Sequence, residues 1–221
     1  MHQKAQQLLE IMRRAQDRVF LGPDREWRGK IACVGTRDYR QMPEEWRHLF
    51  VDAVRWLAEW GYSIATGGAK GADQIAAVNA CLYGSKVQLY LPDPDYERQW
   101  IEEDLLGPFA SPWQVEEIIY DPAKHQHWAE SVRKYHPNPA ALSPGVFRLM
   151  ARNYGIVEGA KAVIALPKRR RLPNGQESLG GTGQGIRIAK ALGIPVFDLS
   201  TPEGRQALRE KMAKHPAPRK E

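Results

Sequence analysis

Cysteine is scarce: Cys33 and Cys81 are the only two in 221 residues, each in an apolar setting, "KIACVG" and "NACLYG". So low a number argues against a disulfide framework or a cysteine metal centre, and two buried reduced thiols are expected. Long hydrophobic runs are also missing, since no apolar stretch approaches the roughly 20 residues that span a bilayer. The opening "MHQKAQQLLEIMRR" lacks an apolar segment with a cleavage site, so the expectation is a cytoplasmic protein with no membrane partner. Histidines are few, and His125 and His127 stand two apart at an expected helix start, where side chains diverge, so no metal is expected. His136 in "YHPNP" is read as ordering a turn. No Ser-His-Asp or Cys-His set can be assigned, no resident cofactor is expected, and no internal repeat is visible.

What is present is ordinary globular material, 43% hydrophobic and 26% charged, in a length that suits one well-buried domain. The net charge of +6 favours an anionic partner, although basic surfaces also serve solubility.

Residues 1–28 read as an N-terminal helical arm for packing or self-association, with Leu8, Leu9, Ile11, Met12, Ala15 and Val19 at three- and four-residue spacings. The core begins at "KIACVG", a strand, followed by the amphipathic "PEEWRHLFVDAVRWLAEWG" with Gly61 as its C-cap. "YSIAT", "ADQIAAVNACLYG" and "KVQLYLP" continue as strand, helix, strand. Residues 93–143 interrupt the alternation with a segment rich in Trp, Pro and charge, read as an inserted helical segment at the sheet edge. It resumes with a helix opened by Ser143 and Pro144, then "KAVIALP", a polar loop, "TGQGIRIAKALG", "IPVFDL" and a closing helix. The fold class is therefore α/β, a parallel sheet with helices on both faces, in a single domain over 29–214 with a disordered tail at 215–221.

In such a sheet ligands bind at the carboxyl ends of the strands, where loops meet helix N-termini. Four loops fall there: Gly35, Thr36 and Arg37; Gly67, Gly68, Lys70, Gly71 and Asp73; the basic loop leading to Gly180, Gly181, Thr182 and Gly183; and Thr201. Glycine permits close backbone approach to an anion, and Arg37 adds a permanent bidentate donor. Any one of these loops reads equally well as a tight turn; their convergence favours an anion pocket. Asp73 suits a helix start on dipole grounds alone. Among phosphate-cradling amides it would instead hold Arg37 or bond a ribose hydroxyl.

"IACVGTRDYR", "ATGGAKGADQIAA", "ARNYGIVEGAKAVIAL" and "GGTGQGIRIAKALGIPVFDL", in that order, resemble the SLOG superfamily of Rossmann-like proteins, over roughly residues 29–91 and 143–199. That superfamily includes the DNA-processing protein A (DprA) family and the Lonely-guy (LOG) nucleotide phosphoribohydrolases. The chain is most similar to uncharacterised phage-type and bacterial DprA-like proteins, through "YHPNPAALSPGVFRLMARN" followed by the last glycine loop. The resemblance puts Gly35, Thr36 and Arg37 on the G-[ST]-R element, Gly67, Gly68, Gly71 and Asp73 on the glycine-aspartate turn, Arg152 and Asn153 on the Arg-Asn pair, and Gly181, Thr182 and Gly183 on the last loop.

A LOG-like activity implies cleavage of a nucleotide N-glycosidic bond by an Arg and a Glu just after the last glycine loop. "GGTGQGIRIAKALG" holds no acid there, and such a cleavage needs a carboxylate near the ribose; Asp73 and Glu158 are the weak catalytic candidates. The DprA comparison implies single-stranded DNA in a positive pocket and a recombinase partner. Lys168, Arg169, Arg170, Arg171 and Arg187 are then candidate phosphate contacts, beside Lys70 and Arg152, and "PKRRR" reads equally as a solvated loop. Most tryptophans are expected to pack, leaving Trp100, Trp113 and Trp128 as candidates for stacking on bases. A signalling-nucleotide sensor is a third class. The expected partner is a nucleotide or single-stranded DNA, with self-association through the N-terminal helix.

Overall fold

The computed structural model describes residues 26–106, 110–173 and 175–217. The helix expected within 1–28 falls almost wholly outside the described residues, as does the end of the tail.

Six strands, β1 (Lys30–Gly35), β2 (Ser63–Thr66), β3 (Val87–Leu91), β4 (Val115–Ile119), β5 (Ala160–Leu166) and β8 (Val196–Asp198), form one sheet in the order β4-β3-β2-β1-β5-β8. All five pairings are parallel. Alternate residues of each inner strand enter opposite cores: Ile31 and Cys33 join one, Ala32 and Val34 the other, and Ile164 and Ala165 divide the same way. Burial on both faces is why these strands read as continuous apolar runs rather than as alternating ones.

One face is covered by α1 (Glu44–Glu59), α2 (Ala72–Leu82) and α6 (Pro202–Lys214), which contribute Leu49, Phe50, Ala76 and Leu208 to the first core. The other is covered by α3 (Gln126–Tyr135), α4 (Pro144–Val157) and α5 (Gly180–Ala191), which bring Val132, Ile156 and Ile188 to the second. Local signals set the helix ends. Gly61 follows α1 at φ 82 with its N–H on the Ala58 carbonyl, while Tyr62 N–H reaches back to Leu57. Ser143 and Thr201 each accept a backbone N–H at the start of a helix whose first residue is proline.

The segment 93–143 contains helical structure as expected, in a turn at Arg98–Trp100, a π-helical turn at Ile101–Leu106, and α3. It also supplies β4, the edge strand. Lys86 pairs with Glu116 at 2.8 Å and Arg98 with Glu117 at 2.7 Å, and such charges along an edge discourage further strand pairing. A short antiparallel hairpin, β6 (Arg170–Arg171) and β7 (Glu177–Ser178), rises from the loop after β5.

The chain runs outward from β1 to β4, then returns to place β5 on the other side of β1. The loops leaving β1 and β5 therefore diverge to opposite faces, and a crevice opens between them at the carboxyl end of the sheet.

Candidate nucleotide-binding site

A cavity of about 510 Å³ occupies that crevice. Gly35 at the end of β1 and Thr36, Arg37 and Asp38 just after it line the cavity, with Lys168, Arg170 and Leu172 from the segment after β5. The start of α5 contributes Gly180, Gly181 and Thr182, and the middle of α4 contributes Met150, Arg152 and Asn153. Asp73 from α2 and Tyr96 from the segment after β3 complete the relevant wall.

Four sequence-distant motifs are joined beneath the cavity by one buried polar chain. Gly35 N–H donates to Asp73 Oδ1 at 3.2 Å, and Asp73 Oδ2 lies 3.6 Å from Arg152 Nη2. Arg152 Nη1 donates to Asn153 Oδ1 at 2.8 Å, and Asn153 Nδ2 donates to the Gly181 carbonyl at 3.2 Å. Asp73 and Arg152 side chains are each only 6% exposed, so the pair is nearly dry. Burial pushes the Asp73 carboxyl above its ordinary value, against the pull of Arg152, the Gly35 and Ala69 N–H groups and Arg37. Asp73 thus holds an arginine, as the sequence reading allows, but its partner is Arg152 rather than Arg37.

The glycine turn after β2 accommodates protein. Gly67 lies against Arg152, where a Cβ would overlap the guanidinium. Gly68 accepts the Trp100 indole N–H at 3.1 Å. Gly71, at φ 98, lets α2 approach the first loop so closely that a Cβ would stand 2.6 Å from the Thr36 carbonyl. Of residues 67–73 only Ala69 and Asp73 reach the cavity wall.

The start of α5 is better placed for an anion. No side chain of Leu179 caps the helix, and Gly180 N–H is taken by Ser178 Oγ at 3.2 Å. The Gly181 and Thr182 N–H groups belong to the first turn, which has no intrahelical acceptors, and both residues line the cavity. Gly183 is not among the lining residues; its N–H bonds Leu179 O at 3.2 Å.

Cationic side chains stand at the rim. Arg37 is 58% exposed, donates to the Tyr96 hydroxyl at 2.5 Å and pairs with Glu97 at 3.2 Å. Lys70 lies 3.7 Å from the same carboxylate but does not line the cavity. Glu97 is the non-glycine residue with positive φ among those described, a conformation that carries local strain. Lys168 and Arg170 both contact Asp38 Oδ2, at 2.9 and 2.8 Å.

The other basic candidates lie elsewhere. Arg169 bonds Glu177, Asp198 and Ser200, tying the hairpin to β8. Arg171 is exposed in β6 and is not among the lining residues. Arg187 donates to the Tyr135 carbonyl at 2.8 Å and to Gln184 at 2.9 Å, bracing α5 against α3. Glu158 follows α4, which runs back along the sheet, so it stands beside the start of β5, away from the carboxyl ends, and faces His127 at 3.4 Å. Trp100 and Trp128 are 2% and 4% exposed and are packing residues; Trp113 is partly buried. No cluster with metal-ligand geometry occurs among the described residues.

Several wall residues escaped sequence reading: Asp38, Tyr96, Leu149, Met150, Leu172 and Leu179. Asp38 directly follows the recognised "GTR", which was its one available signal. The other five become wall residues only through how the insertion, α4 and the hairpin fold back over β1.

No protein-family model matches this sequence, and no curated protein is similar to it by sequence. Solved structures are similar in shape. DNA processing protein A from Helicobacter pylori, whose structure concerns its single-stranded DNA binding mode, matches 82% of this chain and 72% of its own at 23% identity, with a TM-score of 0.50. The fold is Rossmann-like. DNA processing protein A from Streptococcus pneumoniae matches 86% of this chain at 19% identity and a TM-score of 0.48, and this chain spans 57% of it. The molybdenum cofactor carrier protein from Chlamydomonas reinhardtii matches 85% of this chain and 87% of its own at 15% identity and a TM-score of 0.46. At such identities the likeness is one of fold. No described helix is long and apolar enough to cross a membrane.

Proposed function

We propose that this protein is a DprA-like member of the SLOG group and binds a nucleotide through its phosphate, as a free nucleotide or as one residue of a single DNA strand. The observation that carries this reading is the cavity between β1 and β5, which the first turn of α5 and the Arg37 side chain both line. A helix N-terminus and a guanidinium supply the two donor types that bind phosphate most readily. The volume of about 510 Å³ suits a ligand of nucleotide size. Leu149, Met150, Leu172 and Leu179 give the same cavity an apolar side on which a base can rest. The likeness in fold to Helicobacter pylori DNA processing protein A, described as a single-stranded DNA binder, is consistent with it.

Binding without cleavage fits the carboxylates of the site. Asp73 is buried in its pair with Arg152, and Asp38 is engaged by Lys168 and Arg170.

Thermal denaturation with each nucleoside and its 5′-monophosphate tests the reading, because a ligand bound only by the native state raises the melting temperature by an amount that grows with the logarithm of its concentration relative to Kd. Stabilisation by a monophosphate and none by its nucleoside is expected. Equal responses to the two would overturn the role of the phosphate.

A further inference from the structure

At the rim of the cavity an anion-binding position is already filled, by a carboxylate of the chain itself. Lys168 Nζ and Arg170 Nη2 approach one and the same oxygen, Asp38 Oδ2, at 2.9 and 2.8 Å. Lys168 Nζ also donates to Gln41 Oε1 at 2.5 Å. Two cations converging on a single oxygen is the arrangement that binds a phosphate oxygen.

The cluster is open to solvent and lies on the cavity wall. Asp38, Lys168 and Arg170 all line it, with side-chain exposures of 29%, 31% and 64%. The two hydrogen bonds, that of Lys168 first, hold the Asp38 carboxyl below its ordinary range, so it remains an anion across the neutral range. Its charge offsets only one of the two cations facing it.

The hairpin bearing Arg170 is a two-stranded sheet of its own, separate from the main one. Its two strands are two residues each, and Arg169 anchors their base through Glu177 and Asp198. Releasing Asp38 therefore frees Lys168 and Arg170 without dismantling the sheet. A partly exposed ion pair in contact with water contributes little net stability, so exchange of one anion for another is energetically accessible.

We propose that Asp38 is an internal stand-in for a second ligand phosphate: a ligand with two phosphate groups displaces it and places its second phosphate between Lys168 and Arg170. This rests on the nucleotide reading above and narrows it, because the favoured ligand then carries two successive phosphates. Two sources share that chemistry, the β-phosphate of a nucleoside diphosphate and the next phosphodiester of a DNA strand.

Titration calorimetry separates them with two pairs of probes: each nucleoside 5′-monophosphate against its diphosphate, and 5′-phosphorylated thymidine against 5′-phosphorylated dithymidylate. The full chain is compared with Asp38→Asn and with the double variant Lys168→Ala, Arg170→Ala, after circular dichroism has shown each to be folded. In the unaltered protein one pair is expected to favour its two-phosphate member about tenfold, as one added charge-assisted contact allows. Asp38→Asn is expected to widen that ratio by a further factor of about five, since the competitor is gone. The double variant is expected to bring the ratio close to one. A ratio unmoved by Asp38→Asn, or one that stays high in the double variant, overturns the proposal. If monophosphates bind but neither pair shows a preference, the second-phosphate proposal fails alone. If no probe binds, the nucleotide reading falls and takes the proposal with it.

Discussion

Asp73 and Arg152, 79 residues apart in the chain, meet at 3.6 Å beneath the cavity with their side chains each 6% exposed. Their pairing connects the loop after β1 to α4 and, through Asn153, to the start of α5. That side of the cavity wall is therefore a single cross-linked unit.

Replacing Arg152 with methionine leaves the Asp73 carboxylate buried without its cation. Loss of one partner of such a pair costs about 3 to 5 kcal/mol, so urea unfolding of Arg152→Met near neutral pH is expected to show a deficit of that order. The deficit should shrink on acidification. Burial already raises the Asp73 carboxyl, and removing Arg152, which pulls it down, raises it further. A folded-state pKa above the unfolded value means that the native state binds the extra proton, so stability is gained as pH falls through the folded value. A deficit that grows from about pH 7 to about pH 5 would show that Asp73 is not the group left unpaired.

Gly67 gives a second, independent probe of the same arrangement. A Cβ there overlaps the Arg152 guanidinium, with Arg152 itself held by Asp73 and Asn153. Gly67→Ala is expected to destabilise the fold by about 1 to 3 kcal/mol through overpacking. In Arg152→Met, whose side chain lacks the guanidinium, the same substitution should cost less. Additive costs in a double-mutant cycle would contradict the contact.

The two cysteines make a third test. Cys33 and Cys81 are buried and unpaired, and burial pushes both thiols up, Cys81 to about 12. Neither forms much thiolate at mild alkaline pH, so both should resist a thiol reagent in the native protein. Ellman titration is expected to read close to zero equivalents before denaturation and both thiols after it in guanidinium. Rapid native labelling of either one would contradict the packing of β1 or α2.

Much of this fold was legible because its signals are local. The strands of β1, β2, β3 and β5 appear as short apolar runs, and the caps at Gly61, Ser143 and Thr201 are local chemistry. β4 was not legible, since "VEEII" at a charged edge, with Glu116 and Glu117 paired to Lys86 and Arg98, presents no full apolar run.

The site was legible in the same partial way. "GTR", "RN" and "GGT" come together at one strand end, as a parallel sheet requires. The glycines at 67, 68 and 71 carry the same sequence signal as phosphate-cradling glycines, yet they serve packing against Arg152, Leu91 and Thr36. A sequence cannot distinguish a glycine that admits a ligand from one that admits a neighbouring side chain. The contacts of Asp38 and Tyr96 were not legible for a related reason, because they depend on long-range placement of the hairpin and the insertion.

On the proposed function, the cavity between β1 and β5 holds a nucleotide phosphate with the help of Arg37. The most direct test is fluorescence anisotropy of a labelled single-stranded oligothymidylate, with the protein and with Arg37→Ala, at low and moderate salt and with competing nucleoside monophosphates. Affinity is expected to fall steeply with salt, as release of counterions from neutralised phosphates requires. Arg37→Ala should weaken binding by about 1.5 to 3 kcal/mol, the contribution of a charge-assisted hydrogen bond. Because Arg37 is more than half exposed, the melting temperature of the free variant should stay close to that of the parent. At least one monophosphate should displace the oligonucleotide. Binding that is indifferent to salt, to Arg37→Ala and to every monophosphate would contradict the account.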